Sequence, residues 1–154
     1  MTLWLLGLSL LAAGPIPTFD QFRVAVKFTG KPADPVLRTR THQEFRTAIR
    51  EAAAKGLNFA GHYTIAGWGC GAGCVSMVVV DNSTGRVLDA PFSVLAFDVG
   101  RSYEGGEEQL EHRPDSSLLI ARGCPEEKNC GTYYYEWSAN RFKLLRKTPA
   151  PEKK

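Results

Sequence analysis

The side chains best suited to chemistry are concentrated between His62 and Cys74, a segment that also contains four glycines. An imidazole such as that of His62 can act as a general base or a ligand, and beside Cys70 it could activate a thiolate nucleophile. Trp68 offers a large aromatic anchor of the kind that dominates binding interfaces, and a glycine such as Gly71 lets a partner approach the backbone. The segment therefore predicts a rigid binding loop, with a small catalytic site as the alternative.

The four cysteines form two close pairs, Cys70 with Cys74 and Cys124 with Cys130, separated by three and five residues. An even number of cysteines in an exported chain indicates disulfides. Three pairings are open, and the two local bridges are favoured because glycines free the chain around the first pair and the second pair encloses a polar turn. In the plainer interpretation, the glycines only accommodate the first bridge and Trp68 packs over it. A zinc site of four thiolates competes with both, although its spacing differs from the usual two-residue knuckles.

Further side chains are candidates for binding or catalysis. Tyr63 follows His62, and a small hydrolase would need these two and a carboxylate within hydrogen-bond reach of one another. Tyr134 points away from its two tyrosine neighbours along a strand, so one side of that strand could present aromatic surface to a sugar or peptide. The acidic residues between 104 and 111 are interpreted as a solvated loop. Because the sequence contains no phosphate-loop, nucleophile-elbow or paired-histidine zinc motif, no cofactor is predicted.

The N-terminus has the pattern of an export signal. Leu3 to Ala13 is apolar except for Ser9, is too short to span a bilayer, and leads into small residues. We therefore predict a signal peptide at 1–17, a single globular domain at 18–147 and a disordered tail at 148–154, with a periplasmic or secreted location. No stable membrane span is expected after cleavage. The net charge of +3, without a dense Lys/Arg stripe, argues against nucleic-acid binding.

Hydrophobic periodicity predicts an α+β fold, with a mostly antiparallel meander of about seven strands and one helix packed on the sheet. The helix is expected at about 41–55, with a capping box between Thr41 and Glu44 and apolar residues at helical spacing from Phe45. Phe22 to Phe28 alternates, which predicts a half-buried strand, and Val75 to Val80 is apolar enough for a central strand. Further strands are predicted within 59–66, 86–88, 92–97, 117–121, 132–137 and 142–146.

Several of these stretches together resemble a group of short exported bacterial proteins of unknown function. The likeness rests on Asn58-Phe-Ala-Gly-His-Tyr63, Trp68-Gly-Cys-Gly-Ala-Gly-Cys74, the turn Asp81 to Gly85, and Gly131-Thr-Tyr-Tyr-Tyr-Glu-Trp137. The core of the pattern has the form NFAGHY, WGCGxGC and DxxTG, and the likeness covers most of the mature chain. The resemblance implies an exported location and the same build, and it implies no activity.

Taken together, these features favour a non-enzymatic binding protein, such as an inhibitor, an immunity-type factor or an envelope interaction factor. Its partner would be an envelope or extracellular protein or a glycan, contacted through the Trp68 loop and the loop between Cys124 and Cys130. The first alternative is a small periplasmic hydrolase that uses His62 with tyrosine or carboxylate partners. The second is a structural envelope component without a small ligand.

Overall fold

The fold is built around one sheet, and the computed structural model describes residues 14–71, 73–98 and 108–150. Most of the predicted signal peptide, part of the acidic loop and the last four residues lie outside these ranges. The helical elements are a 3-10 helix at Phe19–Phe22, α1 at Arg40–Glu44 and α2 at Arg46–Ala54. The strands are β1 Tyr63–Gly69, β2 Cys74–Asp81, β3 Val87–Asp89, β4 Leu95–Ala96, β5 Leu110–Glu111, β6 Leu118–Pro125, β7 Gly131–Ser138 and β8 Arg141–Pro149.

All strand pairs of the sheet are antiparallel, and the strands follow the order β1-β2-β4-β6-β7-β8. β3 adds to β2, and β5 adds to β6, which gives eight strands among the described residues. The predicted α+β meander is therefore confirmed, with one strand more than expected. Most neighbouring strands are consecutive in sequence, as short antiparallel connections allow, whereas β4 pairs with β2 and β6 rather than with the strands next to it in the chain.

The helix predicted at about 41–55 consists of two consecutive segments, α1 and α2, with a break at Phe45 (φ −101°, ψ 21°). The Oγ1 atom of Thr39 accepts a hydrogen bond of 3.1 Å from the backbone N–H of His42, so Thr39 is the N-cap. The capping box predicted at Thr41 is wrong. Both threonines have the same capping chemistry, and only the path of the preceding chain decides which of them caps the N-terminus of the helix.

Side chains alternate across β2, as a period of two requires, and both faces of the strand are buried. Met77 and Val79 lie in the main core. Val78 and Val80 lie on the opposite face, which we call the outer face, where Ile49 of α2 packs against them. Burial on both faces explains the continuous apolar run that predicted a central strand.

The sheet curves so that its first and last strands share the main core. Phe59, just before β1, stacks on Phe142 of β8 with ring centroids 6.0 Å apart, and meets Trp137 of β7 edge-on at 6.2 Å. The hydroxyl of Tyr63 in β1 donates a hydrogen bond of 2.9 Å to the Oδ1 atom of Asn140, in the turn between β7 and β8. These contacts hold the two ends of the sheet against each other.

A smaller cluster covers the outer face of β6 and β7. Phe19 of the 3-10 helix packs there with Leu118, Ile120 and Tyr134. The two tyrosines beside Tyr134 lie in the main core, so the predicted alternation along β7 is correct. Both sides of the strand are buried, however, because the N-terminal segment covers the side that sequence alone left open.

The strand predicted over Phe22 to Phe28 is wrong. The chain leaves the 3-10 helix at Phe22 and continues without forming a strand. Lys27 and Phe28 both direct their backbone N–H groups to the carbonyl oxygen of Gly61, and Val26 is 51% exposed. An alternating pattern shows which side chains would share a face, but it does not show whether a neighbouring strand is available to pair with them.

Several strand boundaries also differ from the prediction, and the strand expected at 92–97 is reduced to Leu95–Ala96. The strand expected at 59–66 begins only at Tyr63, because Ala60 and Gly61, with φ of 45° and 85°, turn the chain before it. At the other end, β8 continues to Pro149, and Thr148 pairs with Thr132. Paired strand therefore reaches two residues beyond the domain boundary predicted at 147.

Candidate functional site

The four cysteines form the two local disulfides that the sequence favoured. Cys70–Cys74 joins the end of β1 to the start of β2, with Cα atoms 5.4 Å apart. Cys124–Cys130 joins the end of β6 to the start of β7, with Cα atoms 4.0 Å apart. Because all four sulfur atoms are paired, they are not available as zinc ligands or as a thiolate nucleophile in this state.

The two disulfides lie side by side at one end of the sheet. Ala96 of β4 is directly opposite Cys74 on one side and directly opposite Cys124 on the other. Residues directly opposite each other in antiparallel strands share a face, so both bridges lie on the outer face. We call this line of residues the disulfide row. It holds the loop that carries Gly71 beside the loop between Cys124 and Cys130.

A cleft of about 490 Å³ lies next to the disulfide row on the outer face, and we call it the Trp68 groove. Trp68 of β1 and Ser76 of β2 are opposite each other and form part of its floor. His42 and Phe45 contribute one wall, and the segment from Asp89 to Ser93 contributes the other. The groove thus begins on the part of the outer face that α2 does not cover.

The floor of the groove contains a gap in the sheet. β3 pairs with β2 only from Val78 onward, and β4 pairs with it only at Cys74 and Val75. The backbone of Asp81 bonds toward β3, and odd-numbered residues of β2 direct their N–H and C=O groups to the same side. Met77 therefore directs its backbone N–H into the gap, where no described residue pairs with it, whereas its C=O faces the Ala90 N–H in the register of β2 and β3.

The ring face of Trp68 packs against another aromatic ring, whereas its polar atom lacks a hydrogen-bond partner among the described residues. The ring stacks on Phe45 with centroids 4.7 Å apart and planes 18° apart. The indole Nε1 atom is buried and has no hydrogen-bond partner among the described residues. A buried donor left without a partner costs about 1–3 kcal/mol. A small rotation of the ring that brought this N–H to an acceptor in the groove would recover much of that cost.

His42 supplies a second nitrogen to the groove, and the sequence analysis did not single it out. The side chain is only 6% exposed, and its Nδ1 atom accepts a hydrogen bond of 3.3 Å from the backbone N–H of Arg38. When the ring is neutral, its proton is therefore on Nε2, which is a donor. No sequence signal marks a histidine in a capped first helical turn as a groove residue. The sequence indicated Phe45 only as part of an apolar helix face.

The other predicted site residues lie elsewhere. Gly71 is exposed in the loop that the Cys70–Cys74 disulfide closes, three residues after Trp68. His62 and Tyr63 lie at the opposite end of β1 from Trp68, and their rings are in contact with centroids 3.9 Å apart. Tyr134 is 8% exposed beneath the N-terminal segment. The structure brings together Trp68 and Gly71, and it separates both from the other three.

Asp81 is opposite Tyr63 across β1 and β2 and supplies a carboxylate close to the pair formed by His62 and Tyr63. Asp81 Oδ1 accepts hydrogen bonds from the backbone N–H and the hydroxyl of Ser83. The Tyr63 hydroxyl donates to Asn140. These bonds hold two turns in place, so the arrangement favours a structural role for Tyr63 and Asp81 over the catalytic one considered for them.

His112 ties a loop to the turn that precedes β1. Its Nδ1 atom lies 3.1 Å from the backbone oxygen of Asn58 and its ring meets Phe59 edge-on. Burial lowers the pKa of His112, outweighing the hydrogen bond to Asn58 and the charges of Glu108 and Glu111. A histidine whose folded pKa is depressed contributes stability that is present above its unfolded pKa of 6.5. That stability is lost as pH falls through the folded pKa.

We therefore expect the unfolding free energy to fall as the solution is acidified from about pH 7.5 to about pH 5. Urea denaturation at several pH values measures this dependence for the wild type and for His112→Gln, which does not titrate in this range. The loss on acidification should be smaller in the variant, because the variant lacks the titration of His112. His42 and His62 are present in both proteins and do not contribute to the difference. Identical pH dependence of the two would assign the effect to other groups.

Two findings concern membrane-spanning helices and similarity to known proteins. Among the residues that the structure describes, no helix has the length and apolar character needed to cross a lipid bilayer. No protein-family model, curated protein or solved structure matches the chain.

Proposed function

We propose that this chain is an exported, disulfide-stabilised binding protein that takes its ligand in the Trp68 groove. The observation that carries the proposal is the interrupted sheet at the floor of the groove, where the backbone N–H of Met77 and the indole N–H of Trp68 have no partner among the described residues. Polar groups that are covered by protein normally have hydrogen-bond partners. Unpaired groups gathered along one cleft are therefore suited to a ligand that supplies those partners.

The chemistry of the groove indicates the kind of ligand. Trp68 and His42 offer N–H donors, and the Met77 backbone offers a further N–H donor at the gap. The stack of Phe45 and Trp68 adds apolar surface. A ligand with amide or hydroxyl groups on a compact apolar frame matches this combination, as part of an envelope or extracellular protein or of a glycan.

Two further features support the proposal. The two disulfides fit an oxidising compartment such as the periplasm or the extracellular space, which is the location that the signal peptide predicted at 1–17 implies. The disulfide row also fixes the loops beside the groove, which reduces the conformational entropy that a ligand would have to remove. The likeness to short exported bacterial proteins remains part of the same proposal.

Nuclear magnetic resonance on ¹⁵N-labelled protein tests the proposal with a fragment library of amides and hydroxylated rings. A fragment in the groove should shift the indole signal of Trp68 and the amide signal of Met77. The indole of Trp137, which is buried in the main core, serves as the internal control. Trp68→Phe keeps an aromatic ring and removes the N–H, and it should weaken binding about tenfold, as expected for one hydrogen bond of about 1.4 kcal/mol.

Two results would contradict the proposal. One is a library that produces no shift at Trp68 or Met77. The other is a set of bound fragments whose affinity does not change in Trp68→Phe, provided that thermal unfolding shows the variant to be folded.

A further inference from the structure

We propose that the free edge of β1 at Gly67 and Gly69 binds an extended polypeptide segment of a partner protein by strand addition. This surface is distinct from the Trp68 groove, because it is made of outward backbone groups at the edge of the sheet. The inference therefore does not depend on the groove, and either proposal can fail without the other.

Backbone hydrogen bonds define which residues of the strand point outward. His62 O accepts from Asn82 N, and Cys70 N donates to Cys74 O, so even-numbered residues of this stretch bond toward β2. In an antiparallel pair the direction alternates along the strand. The N–H and C=O groups of odd-numbered residues in β1 therefore point away from β2, toward the edge.

The first two outward positions of β1 already have partners. Tyr63 exchanges backbone hydrogen bonds with Phe59, at 2.9 and 3.0 Å. At Ile65 the side chain of Asn58 takes the place of a neighbouring strand: its Oδ1 accepts from the Ile65 N–H at 2.8 Å, and its Nδ2 donates to the Ile65 oxygen at 3.1 Å. The edge is thus satisfied by the chain itself as far as Ile65.

The next two outward positions, Gly67 and Gly69, are open. Both are exposed, β1 has a strand neighbour only on the β2 side, and no described residue hydrogen-bonds to their outward groups. Natural edge strands are usually protected by charged side chains, proline or a covering segment. Neither glycine has a side chain that could shield the edge, and a Cβ atom at Gly69 would meet nothing within 4 Å.

The occupant follows from the pattern of these groups. Two N–H donors and two C=O acceptors recur at a spacing of about 7 Å, which is the two-residue repeat of a strand, and an extended polypeptide supplies the complementary groups. A second copy of this chain fits less well. Among the described residues of β1, a second copy could offer only the same two glycines, because Tyr63 and Ile65 are already bonded within the chain, whereas an extended peptide has free backbone groups along its length.

Gly69 offers a matched pair of substitutions. Gly69→Pro removes the outward N–H, and proline is tolerated on an edge strand where that group faces solvent. Gly69→Ala keeps the N–H and places its methyl group in open space. If Gly69→Pro does not fold, Gly67→Pro is the substitute variant, because it removes the other outward N–H donor. The nearest atom to a Cβ at Gly67 is 3.6 Å away, which is an ordinary contact.

The probe is a peptide selected from a phage-displayed library of random linear peptides against the full chain. We expect the selected peptides to bind wild type and Gly69→Ala within about threefold of each other and to bind Gly69→Pro at least tenfold more weakly. Hydrogen exchange of the Gly67 and Gly69 amides should slow in the complex. Equal binding to all three proteins, unchanged exchange at these amides, or a selection without binders would overturn the proposal. Concentration-dependent dimerisation that Gly69→Pro abolishes would also overturn it, by assigning the edge to a second copy.

Discussion

Gly61→Ala is expected to lower the free energy of unfolding by about 2–4 kcal/mol. Gly61 has φ of +85°, in the left-handed region, and a Cβ atom there would be 2.4 Å from the carbonyl oxygen of Ala25. That carbonyl belongs to the segment whose Lys27 and Phe28 amides bond to Gly61 O. The substitution therefore adds a steric clash to the conformational cost and pushes this segment away from the turn before β1.

Gly56→Ala is the matched control for this substitution. Gly56 has nearly the same backbone conformation, with φ of +90°, but a Cβ atom there would meet nothing within 4 Å. It should cost only the conformational part, about 1 kcal/mol. Urea denaturation of both variants separates the two contributions, and equal losses would mean that the close approach of Gly61 to Ala25 is not needed.

Phe59→Ala is expected to cost about 3–5 kcal/mol, the range for removing a large aromatic side chain from a core. Phe59 is fully buried and contacts the ring of His112, just after β5, and the rings of Trp137 and Phe142, in the hairpin of β7 and β8. Its removal leaves a cavity where the first strand meets the last two. The surrounding β-strands are too constrained by their hydrogen bonds to close that cavity.

Phe97→Ala removes the same number of atoms from a side chain that is 43% exposed. Its cost should be about 1 kcal/mol or less, because most of the transfer and cavity contributions are absent at a half-exposed position. Thermal or urea unfolding of the two variants measures the difference. Similar losses in both would show that Phe59 does not hold the ends of the sheet together.

Local patterns were sufficient to predict much of the fold. The apolar run of β2, the tyrosine-rich β7 and the apolar face around Ile49 each depend on residues within one element, and each lies where the sequence placed it. The two local disulfides were also predictable. Cysteines separated by a few turn-forming residues at the junction of two strands are already close in space before the rest of the chain folds.

The prediction failed where a second segment decides the outcome. Val24 and Val26 alternate as a strand would, yet this stretch makes only a single antiparallel bridge, at Arg23 and Ser116, and then packs its backbone against the turn at Gly61. The candidate site shows the same limit. Trp68 could be identified from its type and its setting, but His42 and Met77 could not, because nothing local shows that a helix start and a gap between two strands meet at one groove.

The sequence by itself therefore determined the class of the fold and the alternation within its strands, and it favoured the local pairing of the cysteines. Each of these follows from contacts between residues that are near one another in the chain, where side-chain period and loop length leave few choices. The tertiary structure alone decided that His62 and Trp68 lie at opposite ends of β1 and that Tyr134 is covered. It also decided that the two disulfides meet across Ala96 and that the edge of β1 is open at Gly67 and Gly69. These features depend on which distant segments pack together, and that choice is made by burial and hydrogen bonding over the whole sheet.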